Sequence, residues 1–265
     1  LGIGAVAFLP LTQVLISGQG WRSAWIVLAI IHVVMAVPFA LVFLRRQPED
    51  VGMTPDGDLH LVEENPDHGD ESGDEAVWTV RDALRTKALW KLVLALGLVS
   101  LGLGMASIHR IPYWVERGFN ERIVSYAFAA DAAAAAVMVL ITGFLVEKCP
   151  TRIVAGLSYL MFLVAMGLML LEANSFFLFA SSAVFGAAVG VHIVVQGYVW
   201  ADYYGREFLG AIRGVVFPVT LLANGIGAPM AGYIFDLGGS YVPAWWVSVG
   251  VFALATLIML SAIPP

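Results

Sequence analysis

Ile123 to Val146 reads IVSYAFAADAAAAAVMVLITGFLV, an unbroken apolar run with one charge, Asp131. About 20 apolar residues in a helix cross the roughly 30 Å hydrocarbon core of a bilayer, so this run is a membrane-spanning helix by length and composition. Working outward, the same reading applies to Leu1 to Ser17, Ser23 to Leu44, Leu89 to Ile108, Ile153 to Leu171, Ser175 to Gly197, Val215 to Phe235 and Ala244 to Ile263. The runs are long, continuous and rich in Leu, Ala and Gly rather than short and alternating. They specify an all-α polytopic membrane protein with eight transmembrane helices and argue against a β-barrel.

Composition agrees. Charged residues make up 13% of the chain, hydrophobic residues 60%, and the mean hydropathy is +0.84, whereas a soluble domain carries about 25% charged residues. The net charge of −6 and the absence of a basic stripe give no footing for nucleic acid. The single cysteine, Cys149, leaves no internal disulfide framework. No HExxH spacing or other metal-ligand cluster occurs, and no cofactor motif is present. The chain opens on Leu1, already inside an apolar run, as expected of a fragment whose N-terminal part is missing.

Lys and Arg divide unequally between the two sides. Arg45, Arg46, Arg81, Arg85, Lys87, Lys91, Lys148, Arg152, Arg206 and Arg213 fall on one side, and Arg22, Arg110, Arg117 and Arg122 on the other. The richer side is expected in the cytoplasm. That side carries the long connection, which holds eleven acids and no Lys or Arg between Glu49 and Glu75. Such a run is expected to be mostly disordered. Its end, Val77 to Trp90, suits a short interfacial helix.

Gly18, Trp21, Ala24 and Trp25 are echoed at a constant shift by Gly238, Tyr241, Ala244 and Trp245. Each copy joins two apolar runs, the signature of a repeat. If the first helix pairs with the seventh, the repeat unit is six helices and four are missing before Leu1. Residues 1–44 then close an N-terminal half, residues 45–88 form the acidic linker, and residues 89–265 form a complete six-helix half.

The chain resembles the major facilitator superfamily, in particular its monocarboxylate-porter and oxalate/formate-exchanger branches. The resemblance is carried by Gly20-Trp21-Arg22, by Gln47 to Gly57, by Tyr203-Tyr204-Gly205-Arg206 with Gly210-Ala211-Ile212-Arg213-Gly214, and by Asn224 to Pro229 with Gly232 and Asp236 to Tyr241. It implies a twelve-helix fold of which this chain covers helices five to twelve. The superfamily's gating motif is matched loosely by Gly143, Glu147, Lys148 and Arg152, with Glu for the usual Asp and Lys for the usual Arg. The resemblance makes these residues, with Arg206, parts of an inner gate.

Ionisable and polar groups within the runs are the sharper pointers, because a central carboxylate costs about 2.5–3.5 kcal/mol to insert. The resemblance places helices eight, ten and eleven against a central cavity, which makes Asp131, His192, Gln196 and Asn224 candidates for binding substrate or a proton. Asn224 lies at a depth where it could hydrogen-bond Asp131. His192 and Gln196 are four apart on one helical face. His109, Arg110 and Tyr113 form a polar and aromatic patch at the outer mouth, with Arg110 a possible anion contact and interfacial anchoring the competing reading. Gly225, Gly227, Gly232 and Pro229 lower the helix propensity of one run and mark it for close packing or flexing. Gly186 and Gly190 form a GxxxG pair suited to packing.

One departure bears on substrate. In the monocarboxylate branch the eighth-helix Asp is followed four residues later by Arg, and here that position is Ala135. The oxalate-type Lys of helix eleven is also absent. The expectation is a monomeric inner-membrane secondary transporter, not an enzyme, carrying a small organic acid with H+ as the possible coupling ion. Transport of a neutral or cationic solute, and a transporter-like receptor that binds without flux, are the alternatives.

Overall fold

The computed structural model describes residues 2–43, 78–171, 174–205 and 208–265. Among these all regular secondary structure is helical: α1 (Gly2–Phe43), α2 (Val80–Arg85), α3 (Lys87–Glu116), α4 (Glu121–Lys148), α5 (Thr151–Met169), α6 (Ser175–Tyr204), α7 (Leu209–Gly238) and α8 (Val242–Leu260). Seven of these helices are long and apolar enough to cross a membrane. The acidic stretch from Glu49 to Glu75 lies outside the described residues.

The chain divides into two compact units, Val14–Glu75 and the remainder, Leu1–Gln13 with Ala76–Pro265. Within α1, the apolar span Val6–Leu41 has 36 residues, about 54 Å of helix and nearly twice one bilayer core. Gly20 interrupts it with φ 80° and ψ 163°, a conformation open to glycine and costly for any residue with a Cβ. The break falls where the sequence separates its first two apolar runs.

In the larger unit α3 packs along α7 and α8, α4 along α6, and α5 between α6 and α8. Glycines set the closest approaches. A Cβ on Gly186 would collide with the Asp131 carbonyl, one on Gly190 with that of Ala135, one on Gly104 with that of Asn224, and one on Gly227 with that of Leu101. Gly186 and Gly190 therefore let α6 lie backbone to backbone on α4, and Gly104 and Gly227 do the same for α3 and α7. Two neighbouring pairs, α3 with α4 and α6 with α7, touch only sparsely.

Polar ties hold the two ends of this bundle. At the end nearer the linker, the Thr86 hydroxyl ends α2 by donating to the Ala83 carbonyl (2.8 Å) and caps α3 by accepting from the Leu89 N–H (3.2 Å). It also meets the Tyr204 hydroxyl at 2.8 Å. With its own proton used, Thr86 accepts there and Tyr204 donates. Beside it Lys91 Nζ donates to the Ser261 carbonyl (2.7 Å) and Tyr203 to the Ala262 carbonyl (2.6 Å). The interfacial helix expected over Val77 to Trp90 is thus shorter, six residues of α2, because Thr86 stops it and starts α3. At the opposite end the Tyr113 hydroxyl (2.7 Å) and Arg117 (3.2 Å) both donate to the Met169 carbonyl.

Candidate functional site

Helix α3 runs to Glu116, past the apolar run that ends at Ile108, and this extension carries Arg110 from a presumed loop position into the helix body. Arg110 is 2% exposed and its Nη1 donates to Asp131 Oδ2 of α4 at 2.8 Å, the one ion pair among the described residues. The register explains the meeting. Arg110 lies six residues from the end of α3 and Asp131 ten from the start of α4, so their Cα levels differ by about 6 Å along the bundle, which an extended arginine covers.

Aromatic rings and one hydroxyl enclose the guanidinium. Its carbon sits 3.8 Å from the centroid of Phe185 and 4.7 Å from that of Phe128, a geometry in which the ring faces partly replace lost hydration. The second terminal nitrogen donates to Ser182 Oγ at 3.5 Å, a long contact. Arg110 Nε is buried with no hydrogen-bond partner among the described residues. Asp131 keeps 15% of its side chain exposed. The pair is thus shut from solvent on the arginine side and open on the carboxylate side. An ion pair in a bilayer is tolerable because each charge cancels the other, and removing one member leaves a bare buried charge.

The other candidates separate. Asn224 does not reach Asp131. Its Nδ2 donates to the Ser100 carbonyl at 3.1 Å and ties α7 to α3, because the Gly227 and Gly104 contacts draw α7 onto α3 rather than α4. His192 is buried against the rings of Tyr159 and Phe162, with centroids 5.9 and 6.2 Å away. It faces α5, and its Nδ1 has no partner among the described residues. Gln196 instead lines a cleft between α6 and α7. Four residues advance a helix about 40° beyond a full turn, enough to send these side chains to different neighbours.

His109 bridges α3 to α7 and to the start of α8. Its Nε2 lies 2.9 Å from the Ala228 carbonyl and its Nδ1 3.1 Å from the Tyr241 hydroxyl. The carbonyl can only accept, so Nε2 carries the proton and Tyr241 donates to Nδ1. Desolvation first, then the charges of Glu116 and Asp236, raise the Tyr241 hydroxyl above its ordinary range. In α7, Gly227 packs against α3 and Gly232 lies in ordinary contact with the His109 ring, while a Cβ on Gly225 would meet nothing. Pro229 is carried within a continuous α7.

Gly143 is half-buried on α4, Glu147 and Lys148 are exposed at its end, and Arg152 is half-buried in the first turn of α5. No ion pair joins them among the described residues. Arg206 lies outside those residues.

A family model described as Major Facilitator Superfamily matches residues 110–265, from the arginine of the ion pair to the end of the chain. The chain belongs to the Major Facilitator Superfamily. Within it, the chain is 20% identical over 277 residues to monocarboxylate transporter 12-B of Danio rerio, covering 98% of this chain and 58% of that protein. It is 23% identical over 267 residues to monocarboxylate transporter 13 of Rattus norvegicus, covering 100% of this chain and 57% of that protein. The chain thus spans little more than half the length of these relatives. Superfamily membership agrees with the seven apolar helices and makes the chain an integral membrane protein.

Proposed function

We propose that the protein is a secondary transporter of a small monocarboxylate, and that Arg110 and Asp131 form the site where the anion and a proton are exchanged. The buried ion pair carries this reading. A guanidinium enclosed by Phe128, Phe185 and Ser182 is a charge-selective anchor for a carboxylate. A substrate carboxylate that takes Arg110 displaces Asp131, and a proton entering on Asp131 leaves the site's net charge unchanged. Cargo and proton are thereby coupled through charge balance. The names of the two relatives support the substrate class.

The reading places residues 1–44 in one half of an alternating-access protein and residues 89–265 in the other, with the linker in the cytoplasm of a cell bounded by an inner membrane. Rocking of the halves would expose the site alternately to each side. Glu147, Lys148, Arg152 and Arg206 would act at the inner gate, and Gly225 and Pro229 would allow α7 to flex. Asn224, His192 and Gln196 are supporting residues on this view, fastening or lining the bundle. The protein would work as a monomer.

The test is uptake of radiolabelled acetate, lactate, pyruvate and succinate into proteoliposomes containing the complete gene product, with and without an inward proton gradient. Gradient-driven accumulation of a monocarboxylate is expected. Binding without flux would favour a receptor, and accumulation confined to neutral or cationic solutes would remove the anion.

A further inference from the structure

A second arginine faces a cavity at the opposite end of the same bundle. The sparse contact between α6 and α7 leaves a cleft of about 130 Å³, bounded by Leu96 of α3, Ile193, Gln196 and Trp200 of α6, and Arg213 and Thr220 of α7. The space has room for several waters or a small organic anion and is far smaller than a drug-sized ligand's pocket. Among the described residues its lining contains a guanidinium and no Asp or Glu. Arg213 is exposed and has no ion-pair partner among the described residues. Gln196 is half-buried and brings an amide with two donors. The Thr220 hydroxyl gives its proton to the Phe217 carbonyl at 2.9 Å, so its oxygen can accept from a ligand hydroxyl. Trp200 supplies a buried aromatic wall.

We infer that this cleft is a second anion station, which holds a small carboxylate on Arg213 and Gln196 near the linker-side end of the bundle. The inference rests on the reading of the bundle as one wall of a transport path, and it adds a stop to that path. Ser182, beside Arg110, and Gln196 lie on the same helix, about 21 Å apart along its axis. The same separation divides Arg110 from Leu96 on α3. One anion cannot touch both arginines, so the two stations are occupied in turn. The first arginine releases an anion when Asp131 returns to it, and the second, with no ion-pair partner among the described residues, receives an anion without displacing one of them.

The test uses Ile193→Cys, which puts a thiol on the exposed lip of the cleft without altering a proposed ligand, in the complete gene product with Cys149 and every other native cysteine replaced by Ser. A charged methanethiosulfonate reagent reports access, and sodium lactate is the probe, with sodium chloride at equal concentration as control. Lactate is expected to slow labelling at least about fivefold. Arg213→Gln should abolish this protection, while Asp131→Asn should leave it in place. Lactate giving no more protection than chloride, or protection that survives Arg213→Gln, would overturn the station. So would a thiol that never reacts, because a dry cleft cannot accept a hydrated anion. The same measurement with Gly197→Cys, also on the cleft wall, keeps the result independent of folding at Ile193. Protection without any lactate flux would retain the station and remove the transport reading. Flux without protection would do the reverse.

Discussion

Arg110 and Arg213 are the same side chain in opposite circumstances. Arg110 is buried, ion-paired to Asp131 and covered by two aromatic rings, whereas Arg213 is exposed on an open cleft without an ion pair among the described residues. The first guanidinium is held in a spanning helix only because a carboxylate compensates it. The second sits in the first turns of α7, near the end of the bundle, where a charge can stay exposed. Both lie beside sparsely touching neighbours, α3 with α4 and α6 with α7.

The contrast breaks most sharply at Arg110. Arg110→Gln strands Asp131 without its counter-charge and is expected to cost about 3–5 kcal/mol of stability, with uptake falling at least about 100-fold. Thermal unfolding in detergent and proteoliposome flux measure the two effects. Pairing Arg110→Met with Asp131→Leu should recover most of the stability, since an apolar replacement of a buried pair is close to neutral, and none of the uptake. Recovery of transport would show the pair to be structural.

Gly186→Val tests the frame that holds the closed site. Its side chain would meet the Asp131 backbone, pushing α6 and with it Ser182 and Phe185 away from Arg110. The expected loss is about 1–3 kcal/mol, read as a lowered melting temperature. Arg213→Gln removes an exposed charge that has no ion-pair partner among the described residues, so the melting temperature should hold while the KM for lactate uptake rises about tenfold, or about 1.4 kcal/mol. The smallest effect is expected from Thr86→Val. It removes the cap of α3 and the Tyr204 contact for about 1 kcal/mol, with little change at either arginine.

Much of this molecule is readable from its apolar runs, and the difference between the two arginines shows where reading stops. Asp131 stands out because it is the one charge in its run, and the GxxxG spacing of Gly186 and Gly190 announces close packing, for which the structure supplies the partner, α4. Arg110 does not stand out, because hydropathy ends the preceding run at Ile108 while the backbone stays helical to Glu116. A usable signal existed in the hairpin itself. Counting back from the turn at Gly118 and forward to Asp131 places the two charges within one arginine's reach. Asn224 was misleading for the converse reason: its depth matches Asp131, but depth does not say which neighbour a helix face meets, and close packing through Gly104 and Gly227 decides that. The break in α1 is legible in Gly18 to Trp21, though only the φ of Gly20 identifies which glycine bends.

The most direct test of the coupling proposed for the closed pair is the proton movement that accompanies lactate. Proteoliposomes loaded with pyranine and containing the complete gene product should acidify on external lactate faster than protein-free liposomes. Asp131→Asn should reduce this acidification to the protein-free rate while labelled-lactate counterflow continues. Acidification by Asp131→Asn at the wild-type rate would contradict the account.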